Sequence, residues 1–103
     1  MAEEANEQSD DLAIIDQVTL ALQSRGENAE LEHTGGGIYC IRVPIRDEEW
    51  MYWGTSDEVW GCDIYKGENY LDSAYLDGVP VSAANIPQAA DAIITFTNNL
   101  RMH

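Results

Sequence analysis

The sequence predicts an α+β domain in two layers: an N-terminal and a C-terminal helix packed on one face of an antiparallel sheet of three to five strands. Two segments with helical apolar spacing lie near the chain ends, and aromatic segments with period-two alternation lie between them. A chain of 103 residues, 45% of them hydrophobic, suffices for one hydrophobic core. We expect one domain over residues 9–103, preceded by a disordered acidic N-terminus over residues 1–8.

The first helix is expected from about residue 10 to residue 25. Ser9 or Asp10 can cap its first amides, and Gly26 suits its exit. Its apolar residues recur at spacings of three and four and therefore share one face. They are Leu12, Ile15, Val18 and Leu22, with Ile14 and Ala21 beside them.

The middle of the chain is expected to form a meander of strands. Residues 29–33 alternate apolar and polar side chains, as a half-exposed strand does. The glycines at 35–37 indicate a hairpin turn or bulge, because the Lys-Ser/Thr of a phosphate-binding loop does not follow them. Further strands are expected at 38–43, where Pro44 ends the strand, at 50–53 and at 59–66. A loop is expected at 45–49 and a polar turn at 54–58.

We expect a register with Val43 opposite Met51 and Trp53 opposite Trp60. This register assigns the side chains of the three central strands to the two faces of the sheet. The core face then holds Tyr39, Ile41, Val43, Met51, Trp53, Trp60, Cys62 and Ile64. The other face holds Ile38, Cys40, Arg42, Trp50, Tyr52, Val59, Asp63 and Tyr65, a mixture typical of a surface that faces solvent or a partner. The two cysteines lie on opposite faces, so an intramolecular disulfide is not expected.

The last third of the chain leaves two alternatives open. Residues 70–76 fit an additional edge strand or a loop, since turn residues follow them. A second helix is expected from a cap at Asn85, with Pro87 in its first turn, to about Leu100. Its apolar face, which consists of Ala89, Ile93, Phe96 and Leu100, packs on the sheet or against a second copy in a homodimer.

Little in the sequence suits catalysis, and we expect a protein that is not an enzyme and holds no cofactor or metal. His33 and Cys40 could form a nucleophilic pair across the glycine turn, but spacing marks no third group to orient the histidine. The acidic runs at 47–49 and 57–58 lack the spacing of a calcium loop and suit solvated turns.

The charge is the most unusual property of the chain, with 19 acidic against 5 basic residues and a formal net charge of -14. Direct nucleic-acid binding is not expected, because phosphate contacts need clustered lysine and arginine. No apolar stretch approaches the about 20 residues that a bilayer requires. The acidic opening of the sequence lacks the positive region of a secretory leader, so the expected compartment is the cytoplasm.

Three interpretations of this charge compete. In the first, carboxylates imitate DNA phosphates and occupy the basic groove of a nucleic-acid-binding protein. In the second, the acids and the single lysine, Lys66, reflect adaptation to high salt. In the third, the acids only confer solubility, and the protein is a binding or immunity-type module that uses its aromatic sheet face.

The first and third interpretations name different residues. The charged surface would consist of Asp10, Asp11, Asp16, Glu27, Glu30 and Glu32. The aromatic surface would consist of Trp50, Tyr52 and Tyr65 beside Arg42.

Residues 31–38, followed by Tyr52-Trp53-Gly54 and Val59-Trp60-Gly61, resemble segments of small uncharacterised acidic proteins of actinobacteria and their bacteriophages. The resemblance covers about 35 residues and assigns no functional role to a particular position. It implies a phage-type inhibitor of a host protein, acting in the host cytoplasm. We therefore expect a protein that binds and inhibits another protein, with partial DNA mimicry against a nucleic-acid-binding host protein. The aromatic-face module is the alternative.

Overall fold

The computed structural model describes residues 2–35, 38–56 and 58–102, and the side chains of residues 12–33, 39–56 and 58–102. The helices and strands are α1 (Ala2–Ser24), β1 (Glu30–Gly35), β2 (Ile38–Arg46), β3 (Glu49–Ser56), β4 (Val59–Lys66), β5 (Asn69–Pro80) and α2 (Ile86–Arg101), with a 3-10 turn at Ala83–Asn85 before α2. The strands form one antiparallel sheet in the order β1-β2-β3-β4-β5. The predicted α+β class is confirmed, and residues 70–76 belong to a strand.

Helix α1 begins earlier than its predicted cap at Ser9 or Asp10. The residues of 2–8 are mainly Ala, Glu and Gln, which favour helix, and acids near a helix N-terminus interact favourably with the helix dipole. The disorder expected for residues 1–8 stays a prediction. The exit is as expected: Gly26 has φ +91°, and its N–H donates to the Gln23 carbonyl.

The predicted register is right at one strand pair and wrong by two residues at the next. Val43 lies opposite Met51, as expected. Trp53 lies opposite Cys62, whereas Trp60 lies opposite Thr55. Because side chains alternate with a period of two, this slip leaves every side chain on its predicted face. The face toward the helices accordingly buries Ile41, Val43, Met51, Trp53, Trp60, Cys62 and Ile64.

Two predicted strand ends are wrong. Strand β2 continues through Pro44 to Arg46, and Pro44 pairs with Trp50. Proline is tolerated there because the β1 ladder on the other side of β2 ends at Arg42, so a missing N–H costs no ladder bond. Strand β3 likewise continues through Gly54, which was expected in a turn, to Ser56.

Both helices cover one face of the sheet. Ile15, Val18 and Leu22 of α1 and Ala90 and Ile93 of α2 belong to the same buried cluster as the inner sheet residues. The Trp53 and Phe96 rings meet edge to face, with centroids 5.5 Å apart. Asn85 precedes α2 as expected but makes no capping bond through its side chain, which donates to the Pro80 carbonyl.

Arg101 ties the end of α2 to the sheet and to the α1–β1 connection. Its guanidinium donates to the carbonyls of Pro44 and Ile45, at 2.8 and 3.2 Å, and to both carboxylate oxygens of Glu27, at 2.9 and 3.2 Å. The Glu27 side chain is only 11% exposed. A single arginine thus satisfies acceptors on two separate segments of the chain.

Candidate functional site

The face of the sheet opposite the helices is not covered by any described part of the chain. We call it the outer face and define it by Arg42, Trp50, Tyr52, Asp63, Tyr65, Tyr70, Ser73 and Tyr75. Antiparallel pairing brings these residues together, since directly opposed side chains share a face.

The three aromatic residues predicted for this face form a contiguous cluster. Trp50 lies directly opposite Tyr65 in the β3–β4 pair. The Tyr52 and Tyr65 rings meet edge to face, with centroids 5.6 Å apart. The Arg42 guanidinium lies over the Trp50 ring, with Cζ 4.4 Å from the ring centroid. The structure therefore places Trp50, Tyr52, Tyr65 and Arg42 in one patch.

Tyr70 joins this patch because of an irregularity in the β4–β5 pair. Ile64 pairs with Asp72, and the next residue, Tyr65, pairs with Tyr70. The residue passed over, Leu71, is the extra residue of a bulge, which turns Tyr70 to the same face as Tyr65. The Tyr65 and Tyr70 ring centroids are 5.7 Å apart. Sequence reasoning missed this residue, since regular alternation from Ser73 would place Tyr70 on the helix side.

A chain of hydrogen bonds fixes the polar part of the outer face. The Ser73 hydroxyl donates to Asp63 Oδ1 at 2.7 Å, and it lies 2.6 Å from the Tyr70 hydroxyl. Because the Ser73 hydroxyl donates its only proton to the Asp63 carboxylate, the Tyr70 hydroxyl is the donor in its hydrogen bond with Ser73. Asp63 is thereby held in a defined position beside the aromatic cluster.

An open cleft of about 660 Å³ lies on this face. Gly54 and Gly61 form part of its floor, and the rings of Tyr52, Tyr65 and Tyr75 are among its walls. The Tyr75 ring is 67% exposed and lies across Gly61. Gly54 lies directly opposite Gly61 and leaves open space beside this ring, because a Cβ at Gly54 would meet nothing within 4 Å.

Four of the six acidic residues predicted for a DNA-like surface have described side chains, and three of these four contact an arginine. Glu27 is held by Arg101, as described above, on the side of the helices. Glu30 and Glu32 are on edge strand β1, where their carboxylates lie 3.5 and 3.4 Å from the Arg42 guanidinium. Asp16 is exposed on α1. The side chains of Asp10 and Asp11 lie outside the described residues.

His33 and Cys40 are not brought together. His33 pairs with Tyr39 and stacks on its ring at 4.5 Å, whereas Cys40 pairs with Glu32 on the other face. Burial raises the pKa of the Cys40 thiol to about 11, and the Glu32 carboxylate acts in the same direction. A buried, protonated thiol is a poor nucleophile at neutral pH. Within the described ranges, no group of three His, Cys, Asp or Glu side chains is placed to hold a metal ion.

The fold and the site define the class: a small acidic α+β domain with one sheet face covered by helices and the other exposed and aromatic. No protein-family model, curated protein or solved structure matches this chain. None of the helices in the described part of the chain is long and apolar enough to cross a bilayer.

Proposed function

We propose that this protein is a non-enzymatic binding module that recognises another protein through the outer face of its sheet. The observation that carries the proposal is the aromatic cluster on this face, in which Tyr70 and Tyr75 are 57% and 67% exposed. Its other members, Trp50, Tyr52 and Tyr65, are half-buried. Tryptophan, tyrosine and arginine are the residues that most often dominate binding energy at protein interfaces. An exposed aromatic patch on a small monomer typically marks such an interface.

The negative net charge of the chain supports the same proposal, because it can steer a basic partner toward this protein. Each of the four arginines contacts a carboxylate, whereas the chain has 19 acidic residues, so these contacts neutralise only a small part of the negative charge. A strong negative field accelerates encounter with a basic partner and disfavours acidic ones.

DNA mimicry by an inhibitor of phage type is the second candidate and has less support. Three of the six carboxylates expected for it, Glu27, Glu30 and Glu32, are in contact with arginine. A decoy needs carboxylates that are available to the basic groove it occupies. The inhibitor role, the phage connection and the cytoplasmic location stay predictions.

Site-specific cross-linking tests the proposed interface. Photoreactive benzoylphenylalanine would replace Tyr75 on the outer face or, as a control, Thr95, which is exposed on α2. Each protein would be irradiated in an extract of the cells that encode it, at low and at high ionic strength. Mass spectrometry would then identify the cross-linked proteins. We expect one defined protein cross-linked from position 75 and absent from position 95.

Two matched variants sharpen the result. Trp50→Ala removes an aromatic side chain from the outer face, and Leu20→Ala removes an apolar side chain that is 57% exposed on α1. We expect Trp50→Ala to abolish the cross-link and Leu20→Ala to preserve it. The same products from both cross-linker positions, or none from either, would contradict recognition through the outer face. Displacement of the partner by duplex DNA would favour the decoy interpretation.

A further inference from the structure

We infer that the cleft of the outer face is a subsite for a cationic side chain of a basic protein partner, with an arginine guanidinium as its best-fitting occupant. This inference rests on the proposed function, because it names the chemistry of the partner that the outer face binds. Its basis is the combination of aromatic walls, carboxylates and a glycine floor in one cleft.

The aromatic walls attract cations. The ring faces of tyrosine carry negative partial charge, so an ammonium or guanidinium group placed over them is stabilised. Tyr52, Tyr65 and Tyr75 line the cleft, and the space above Gly54 is open, since a Cβ there would meet nothing within 4 Å. Its volume of about 660 Å³ admits a long side chain together with neighbouring atoms of the partner.

The charged groups of the cleft have one sign. Asp63 and Glu68 line it, and none of the described lining residues is basic. Asp63 is fixed by its bond from Ser73, so its carboxylate needs little reorganisation to meet a cation. Guanidinium suits the site better than ammonium, because its planar group stacks on a ring and donates to a carboxylate at the same time.

The outer face already holds one guanidinium in this kind of environment. The Arg42 guanidinium lies over the Trp50 ring, and carboxylate oxygens of Glu30 and Glu32 lie 3.5 and 3.4 Å from its nitrogens. The cleft repeats the combination of aromatic rings and two carboxylates, but no cation of the described chain lines it. An arginine of the partner would lie among the aromatic rings and carboxylates of the cleft, as Arg42 lies between Trp50 and the carboxylates of Glu30 and Glu32.

Other occupants fit the cleft less well. A second copy of the chain carries the same net charge of -14 and would bring carboxylates toward Asp63 and Glu68. A neutral apolar side chain would use the rings but would desolvate the two carboxylates without replacing their contacts with water. A nucleic acid would be repelled.

The test is a titration of the isotopically labelled protein, followed by the backbone amide signals of Gly54 and Gly61. The probes are N-acetyl-arginine amide, the lysine equivalent, and N-acetyl-citrulline amide, which has nearly the shape of arginine without its charge. We expect saturable shifts at both glycines with arginine, weaker ones with lysine, and none with citrulline. Raising the salt concentration should weaken the arginine response.

Variants separate the cleft from the general negative field. Asp63→Asn should weaken arginine binding by about threefold, whereas Asp16→Asn, which removes the same charge from the solvent face of α1, should leave it unchanged. Tyr75→Leu should weaken binding by about threefold to tenfold, and Tyr75→Phe should restore it, because phenylalanine keeps the ring face.

The outcomes distinguish this inference from the proposed function. Equal shifts with citrulline, or no saturable shift with either cation, would overturn the cationic subsite. If cross-linking from position 75 persisted in that case, protein recognition through the outer face would still stand. If arginine bound as expected but cross-linking showed no partner at this face, the proposed function would fail while the subsite remained.

Discussion

Gly61 and Tyr75 lie directly opposite each other in the β4–β5 pair, and a Cβ on Gly61 would come within 2.9 Å of the Tyr75 ring. The Tyr75 ring therefore lies directly on the backbone of Gly61, in space that a side chain at position 61 would occupy. Since Tyr75 is largely exposed, its side chain can swing away if the space is filled.

We expect Gly61→Ala to displace the Tyr75 ring while changing the free energy of unfolding by less than about 1 kcal/mol. Urea denaturation gives the stability, and nuclear Overhauser contacts between the ring and residue 61 give the ring position. Gly54→Ala is the control, because a Cβ there meets nothing within 4 Å. A loss of several kcal/mol in Gly61→Ala would show that the ring cannot move.

The contact of Arg101 with Glu27 predicts a large coupling energy between these two residues. Arg101→Met leaves a carboxylate that is 11% exposed without its partner, so we expect a loss of about 2 kcal/mol in stability. Arg25→Met, which breaks a pair with the 67% exposed Asp91, should cost less than about 1 kcal/mol.

A double-mutant cycle with Glu27→Gln and Arg101→Met measures the coupling by urea denaturation. Additive losses in the double variant would mean that the two side chains act independently, contrary to the observed geometry.

The buried thiols predict a loss of stability in alkaline solution. Burial raises the pKa of Cys40 to about 11 and that of Cys62 to about 12 from the ordinary 9.0. Above pH 9 the unfolded chain releases these protons while the folded protein retains them. Stability should therefore fall by at most about 1.4 kcal/mol per pH unit per thiol until the folded-state pKa is reached.

Urea denaturation at several pH values between 8 and 11 tests this thiol effect, in the wild type and in Cys40→Ser. The variant should lose part of the pH dependence, since tyrosine and lysine titrations are common to both proteins. Identical pH profiles would contradict the buried-thiol explanation. Alkylation of either cysteine in the native protein at neutral pH should also be slow compared with the unfolded chain.

The two candidate functions predict opposite effects of charge reversal on α1. If the outer face binds the partner, replacing Asp10, Asp11 and Asp16 by lysine should slow association modestly and leave the dissociation rate unchanged. If the protein imitates DNA through α1, the same variant should lose binding and flatten its salt dependence. Surface plasmon resonance with the partner that cross-linking identifies distinguishes these outcomes.

The face assignment of the sheet could be predicted from sequence because it depends only on alternation. The predicted register was wrong by two residues where it placed Trp53 opposite Trp60. The face assignments are nevertheless correct, since an even shift keeps every side chain on its face. Both helices were likewise readable from their apolar spacing, and the buried residues Ile15, Val18, Leu22 and Ile93 lie within the predicted stripes.

The cleft could not be predicted, because its components depend on local irregularities. The bulge at Leu71 decides that Tyr70 faces outward, and no turn residue marks it in the sequence. Gly54 was expected in a turn, since an isolated glycine near polar residues usually indicates one. Only the extent of β3 shows that it is part of a sheet surface.

The ion pair between Glu27 and Arg101 could not be predicted from sequence patterns either. Glu27 and Arg101 are 74 residues apart, and their contact requires α2 to lie beside the α1–β1 connection. An acidic residue near a helix end is usually solvated, so its burial against a distant arginine leaves no local signal. In this contact the Glu27 carboxylate is paired with Arg101 and is only 11% exposed.

The meander order of the sheet has a consequence for how the chain folds. Each strand pairs with the next one along the chain, so the hairpins close short loops. The helices come from distant segments, and their contact between Arg25 and Asp91 spans 66 residues. The hairpins can therefore form before α2 docks on the sheet, and until it docks the Trp53 indole lacks its contact with Phe96. A chain that stalls at this stage would leave part of its aromatic inner face uncovered, and such surfaces favour aggregation.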